Sequence, residues 1–232
     1  MQKVIYLLWQ REQDSFEHFA EQLRGTADRL QSLGAHSLQL NLDDAEVAPA
    51  AGLRQQQAGP LPQATLSFWL ASAVGEFRRP FDEALRAICA RLDGYLVCES
   101  EPIRNTRFPT QPGRRTHGFS QLAFLQRPPR LTHDAWLDTW QNHHTRVAID
   151  TQDNFQYVQN LVVQVLTPGA APLAAIVEEC FPPAAMSDPQ AFFDAAGDEA
   201  KFQRNVAVMM DSCHRFIDFD QLNVLPSSQY PL

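Results

Sequence analysis

Four of the seven histidines, His117, His133, His143 and His144, fall between positions 117 and 144. An imidazole titrates near neutrality, so such a cluster suits proton transfer or metal ligation. Trp140 and His144 are four residues apart and share a face if the segment is helical. His143 is turned from His144 by about 100° on an ideal helix, so the two do not enter one pocket together. A chelating pair is therefore disfavoured. The chain has no HExxH, and no carboxylate stands at a spacing that completes a metal site, so no metal is expected. The remaining chemistry is acid–base catalysis by His144, with His143 as second candidate and Trp140 as an apolar wall. The plainer alternative for each histidine is a ring packed on the indole and bonded to a backbone carbonyl. Tyr157 and Asn160 follow in a strand-like run and are candidate substrate contacts. They fall on opposite faces of the strand, so at most one of them faces a given cavity. The Phe and Met stripe from Phe192 to Met210 reads as packing.

These residues must be positioned by the elements around them. Residues 3–9 (KVIYLLW) read as a strand, and Ser15 caps a helix carrying Phe16, Phe19, Leu23, Ala27 and Leu30. Gly34 ends that helix, and residues 36–42 alternate as a half-buried strand. Residues 45–62 read as a loop and 64–71 as the next strand. Pro80 is expected to open a helix running through Leu92, before a fourth strand over 95–99. The order is β-α-β-β-α-β, the ferredoxin-like pattern. It occupies residues 1–103. Residues 104–117, rich in arginine and proline, read as a linker.

The order then repeats over residues 118–232. A strand at 119–125 precedes a helix capped by Thr132 that carries Trp136, Trp140, His143, His144 and Val147. A long strand at 155–167 and another at 173–181 follow. A helical region from Asp188 breaks near Gly197, and residues 216–225 are expected to contain the last strand. The repeat is one of element order and not of sequence identity.

In a ferredoxin-like unit both helices cover one sheet face. The long strand is largely apolar on both sides, with Tyr157, Leu161, Val163 and Val165 on one and Val158, Val162 and Leu166 on the other. Both faces are therefore expected to be buried. The fold class that satisfies this is α+β: two ferredoxin-like βαββαβ units packed sheet to sheet, curled into an eight-stranded barrel with a shared inter-sheet cavity.

The totals narrow the function. A formal charge of −8 disfavours nucleic acid as a partner. No run approaches the ~20 apolar residues of a membrane span, and no signal peptide is expected, so the setting is read as cytoplasmic. Cys89, Cys98, Cys180 and Cys213 form no CxxC pair and read as buried free thiols in a reducing compartment.

The second half resembles the EthD domain of the dimeric α/β-barrel superfamily. The resemblance rests on FLQRPPRLTHDAW, the WxxxH unit of Trp140 and His144, the strand FQYVQN, and the segment FFDAAGDEAKFQRNVAVMMDSCHRFID. It implies a barrel of ferredoxin-like units in which the WxxxH histidine, here His144, is the active-site candidate. It also implies lyase or oxygenase chemistry without a cofactor on a small hydrophobic or aromatic molecule. The first half has Phe19 and Leu23 where Trp136 and Trp140 would lie, and Thr26 and Ala27 in place of the histidines. It is expected to keep the fold without the site. A non-catalytic hydrophobic-ligand binder is the alternative, and a haem-binding barrel protein is a third. With two units in one chain, a further homodimer is optional.

Overall fold

The computed structural model describes residues 1–232. The first unit runs β1 (Gln2–Trp9), α1 (Phe16–Ser32), β2 (His36–Leu42), the two-residue β3 (Gln55–Gln56), β4 (Ala64–Leu70), α2 (Gly75–Arg86) and β5 (Arg91–Ile103). The second runs β6 (Phe119–Leu125), α3 (His133–Asp138), a π-helical turn (Thr139–His144), α4 (Thr145–Thr151), β7 (Gln156–Val165), β8 (Ala175–Phe181), α5 (Pro189–Phe192), α6 (Glu199–Phe216) and β9 (Asn223–Pro231).

The units have the same sheet order, β2-β4-β1-β5 and β7-β8-β6-β9. They join edge to edge through two antiparallel seams, β5 with β7 and β2 with β9, which close an eight-stranded barrel. Closure leaves no barrel edge exposed. The expected pair of ferredoxin-like units is therefore present, with their sheets hydrogen-bonded into one wall.

The alternation of each strand divides its residues between the barrel interior and the helix-covered outside. Interior positions supply an apolar layer that includes Ile5, Leu7, Tyr95, Val97, Leu122, Phe124, Ile176 and Leu225. Beside it lies a polar layer. Buried Glu178 accepts hydrogen bonds from Gln39 Nε2, Asn41 Nδ2, Ser120 Oγ and Gln229 Nε2, which ties β2 to the second unit. Lys3 pairs with Glu99 and donates to Asn160 Oδ1 at 2.9 Å, tying β1 and β5 to β7. The barrel is thus filled by side chains. The inter-sheet space that remains is a small pocket of about 100 Å³, lined by Leu7 and Asp93 of the first sheet and Phe124 and Asn223 of the second.

Outside the barrel the units differ. Under α1 and α2, residues such as Tyr6, Phe19, Leu23, Leu40, Leu66 and Phe68 form one continuous core. Full burial of each is worth about 1.5–3 kcal/mol. The second unit's cover is looser. Its α6 is capped by Asp198, which accepts from Lys201 N–H at 2.9 Å, after Gly197 turns the chain at a φ of 76°. At the start of β6 only glycine is tolerated: Gly118 has a φ of 77°, and a Cβ there would lie 1.9 Å from Phe181 O.

Several local expectations are corrected. Pro80 lies inside α2, which starts at Gly75 and stops at Arg86, and Leu92 belongs to β5. There Arg91 pairs with Asp93 and stacks on Trp9, holding the chain extended. Residues 45–53 of the expected loop form a 3₁₀ helix capped by Asp44. The last strand starts at Asn223 because Phe216 still ends α6. On β7, Val163 and Val165 are exposed, since the helices cover only the first half of that strand. Cys98 is exposed, unlike buried Cys89 and Cys180.

Candidate functional site

The helix from Thr132 is built as its sequence suggests. Thr132 Oγ1 accepts from Ala135 N–H at 3.2 Å, and Trp136 anchors the helix by donating from Nε1 to Phe216 O at 3.1 Å. The helix then widens. Thr145 N–H bonds to Trp140 O, an i to i+5 bond that makes Thr139–His144 a π turn. Such turns re-aim side chains locally and recur at functional sites. Trp140 and His144 both point inward and are buried, while His143 faces solvent beside Asp138. The two adjacent histidines thus face different ways, as helical rotation between neighbours requires, and His143 does not reach the site.

Trp140 and His144 line a cavity of about 580 Å³ between the outer face of the second sheet and α6. Its floor includes Gln121, Ala123, Tyr157, Val177 and Glu179 from the sheet. Its roof includes Met209, Cys213 and Phe216 of α6, and Phe192 and Phe193 close one side. The Phe and Met stripe is thus cavity wall as well as packing. A third wall comes from the first unit: Pro49, Gly52 and Leu53 of the 3₁₀ segment reach across, while Val47 and Ala50 beside them pack on Phe119, Phe181 and Phe192. The wall is mainly apolar, with no Arg or Lys in it.

Tyr157 is on the cavity side of β7, and Asn160 is on the other, inside the barrel, where it binds Lys3 and Ile176 O. Asn160 is therefore not part of the cavity. Gln159 Nε2 donates to Tyr157 Oη at 3.0 Å and to Thr145 Oγ1 at 2.7 Å, fixing the phenol. Burial, reinforced by the charge of Glu179, holds that phenol above its ordinary pKa. The indole Nε1 of Trp140 is buried without a partner.

His144 Nδ1 lies 2.9 Å from Ser212 Oγ of α6, and its ring tilts over Phe216 at 4.6 Å. Burial pushes its pKa down to about 4, because the apolar surroundings penalise the imidazolium. Sequence reasoning did not single out Glu179. It sits on β8 opposite Tyr157 and accepts one hydrogen bond, from Asn154 Nδ2 at 2.8 Å. Burial raises its carboxyl to about 7, partly opposed by that bond. Burial also pushes the nearby Cys213 thiol up to about 12, with Glu179 adding to the effect. The available signal for Glu179 was an acid within the apolar strand AIVEECF, a position where a charge is costly unless used or compensated.

No three His, Cys, Asp or Glu side chains converge as a metal-binding group. Haem fits the wall poorly: no cation is present to pair with a propionate, and Glu179 adds a carboxyl. No helix is long and apolar enough to cross a membrane.

Residues 128–220 match the EthD domain family, and so the match covers α3 to α6 and two of the four barrel strands that line this cavity, β7 and β8. No curated protein matches the chain by sequence. Among solved structures, an anthrone oxidase-like protein aligns at a TM-score of 0.50 with 12% identity, over 99% of this chain and 92% of its own. A monooxygenase-like protein from Lactobacillus acidophilus NCFM aligns at 0.47 with 9% identity, over 98% and 93%. A chlorite dismutase from Candidatus Nitrospira defluvii aligns at 0.48 with 10% identity, over 99% and 91%. At such identity the first of these is a likeness of fold.

Proposed function

We propose, taking the EthD-domain match over residues 128–220 as the premise, that this protein is an enzyme whose cavity beneath α6 receives a small apolar or aromatic molecule. One observation carries the reading: the WxxxH pair, Trp140 and His144, forms part of the wall of an apolar cavity of about 580 Å³. That volume lies within the range typical of small-molecule sites, and a few polar groups among apolar walls is their usual chemistry. Trp140 and Phe216 offer flat apolar surface, and His144 offers a ring nitrogen. At neutral pH that imidazole is uncharged, so it engages a ligand as a hydrogen-bond partner or weak base. The wall selects against anions, since it has a carboxyl and no cation. The unpaired cysteines support a reducing, cytoplasmic setting.

The test is binding of the neutral dye Nile red, followed by turnover of a panel of aromatic ketones and lactones. Val177→Phe fills the cavity floor and should abolish dye binding with the fold retained. His144→Ala should bind the dye and lose turnover. Undiminished dye binding by Val177→Phe would refute the site.

A second reading, ligand binding without chemistry, is favoured by the mainly apolar wall of the cavity. It predicts that His144→Ala binds as the parent does and that neither protein turns over any compound of the panel.

A further inference from the structure

β8 carries two consecutive glutamates, and they are treated differently. Glu178 is compensated by donors from four side chains, as a structural carboxylate should be. Glu179 has one donor, Asn154, on Oε1, and Oε2 has no protein partner. It is the one carboxylate in the wall of the cavity. On the helix side, His144 Nδ1 lies 2.9 Å from Ser212 Oγ, and Nε2 has no protein partner. In the tautomer in which Ser212 donates to Nδ1, the ring proton of neutral His144 sits on Nε2. The cavity then holds a carboxyl oxygen free to take a proton and an N–H free to give a hydrogen bond.

Resting on the reading of the cavity as a small-molecule site, we propose that Glu179 is its base and neutral His144 its hydrogen-bond donor. The substrate class is a neutral aromatic ketone with an acidic C–H beside the carbonyl. The C–H bond breaks and its proton goes to Glu179 Oε2. The electron pair forms the enolate C=C, and charge develops on the carbonyl oxygen, which accepts from His144 Nε2–H. Return of the proton to carbon completes the exchange, with no oxidant or reductant consumed. A carboxylate base with an uncharged imidazole polarising the carbonyl is a chemically matched pair for this step. The apolar wall strengthens both by excluding water.

The other titratable groups facing Glu179 are Tyr157 on β7 and Cys213 on α6, both held protonated at neutral pH by burial. His144 completes the set, and no cation offsets the carboxylate. Glu179 is therefore the group that titrates near neutrality, with a pKa of about 7.

The experiment follows deuterium incorporation next to the carbonyl of 2-tetralone in D₂O by NMR, with Nile red displacement reporting its binding. The protein should catalyse exchange, with a rate that rises with pH through about 7. Glu179→Gln keeps the acceptor for Asn154 and should still bind the ketone, but lose roughly 100-fold or more in exchange rate. His144→Ala should lose roughly 100-fold with the pH profile kept. Asn154→Ala removes the bond that favours the carboxylate and should move the profile to higher pH. Exchange by Glu179→Gln at the parent rate overturns the inference, as does ketone that binds without exchange above buffer. Nile red that binds but is not displaced by the ketone overturns the inference alone. A protein that binds neither overturns the cavity reading as well.

Discussion

Glu178 and Glu179 are adjacent on β8 and face opposite sides of the same sheet, one into the filled barrel and the other into the cavity under α6. The first is bound by donors from β2, β6 and β9. The second has Asn154 alone. The two carboxyls thus separate the protein's structural polar layer from its candidate chemistry.

That division has a stability consequence. Glu178→Ala would remove the acceptor that Gln39, Asn41, Ser120 and Gln229 share, at a cost of about 1–3 kcal/mol. Glu179→Gln keeps its one hydrogen bond and loses the penalty of a buried charge, so it should match the parent near pH 4.5 and exceed its stability by up to about 3 kcal/mol at pH 7. Urea unfolding of the two variants checks the contrast.

His144 and Glu179 should give opposite pH slopes of stability. The folded state holds His144 at about 4, below its ordinary 6.5, so the unfolded state binds more protons between those values. Stability from this group rises with pH across that window and is lost as pH falls. Glu179 is held at about 7, above its ordinary 4.5, so the folded state binds more protons and stability falls as pH rises from 4.5 to 7. Each amounts to at most about 3 kcal/mol, and the two nearly cancel in the parent. Glu179→Gln should therefore gain stability from pH 4 to 6.5, and His144→Gln should lose it from pH 4.5 to 7. Thermal melts across that range read both.

Leu53 belongs to the first unit but lines the second unit's cavity. Leu53→Ala should weaken binding of small probes and admit bulkier ones, and Leu53→Trp should exclude the bulkier ones. Because Val47 and Ala50 carry the segment's buried packing, Tm should change little in either variant. A competition series of aromatic ketones of increasing size tests this.

Separated halves should not behave as independent domains. Each would expose two strand edges, β2 and β5 or β7 and β9, together with its interior face. Residues 1–103 and 118–232 expressed alone should aggregate or dimerise by sedimentation. A well-behaved monomeric half would count against the closed barrel.

Much of the fold was legible because element order and the alternation in β2 survive as local pattern. The last strand was misplaced because NVLPSSQYP has two prolines and two serines, turn chemistry by composition. It is held as a strand by long-range partners, including Ser227 bonded to Ser120 O and Ser228 bonded to Asp44. Trp140 and His144 were found by their spacing, and His143 and Asn160 are set apart by which way each faces. The larger cavity beneath α6 was not anticipated, because β7 is apolar on both faces and its sequence does not say which face meets the larger open space. Glu179 was missed because the acids of AIVEECF point opposite ways, and only the paired strands and α6 decide which one is compensated.

The most direct measurement is a crystal structure of the protein soaked with a neutral aromatic ketone such as 2-tetralone. Ligand density between β8 and α6, against Glu179 and His144, is the predicted result. Ligand density inside the barrel between the two sheets, with the space beneath α6 empty, would contradict it.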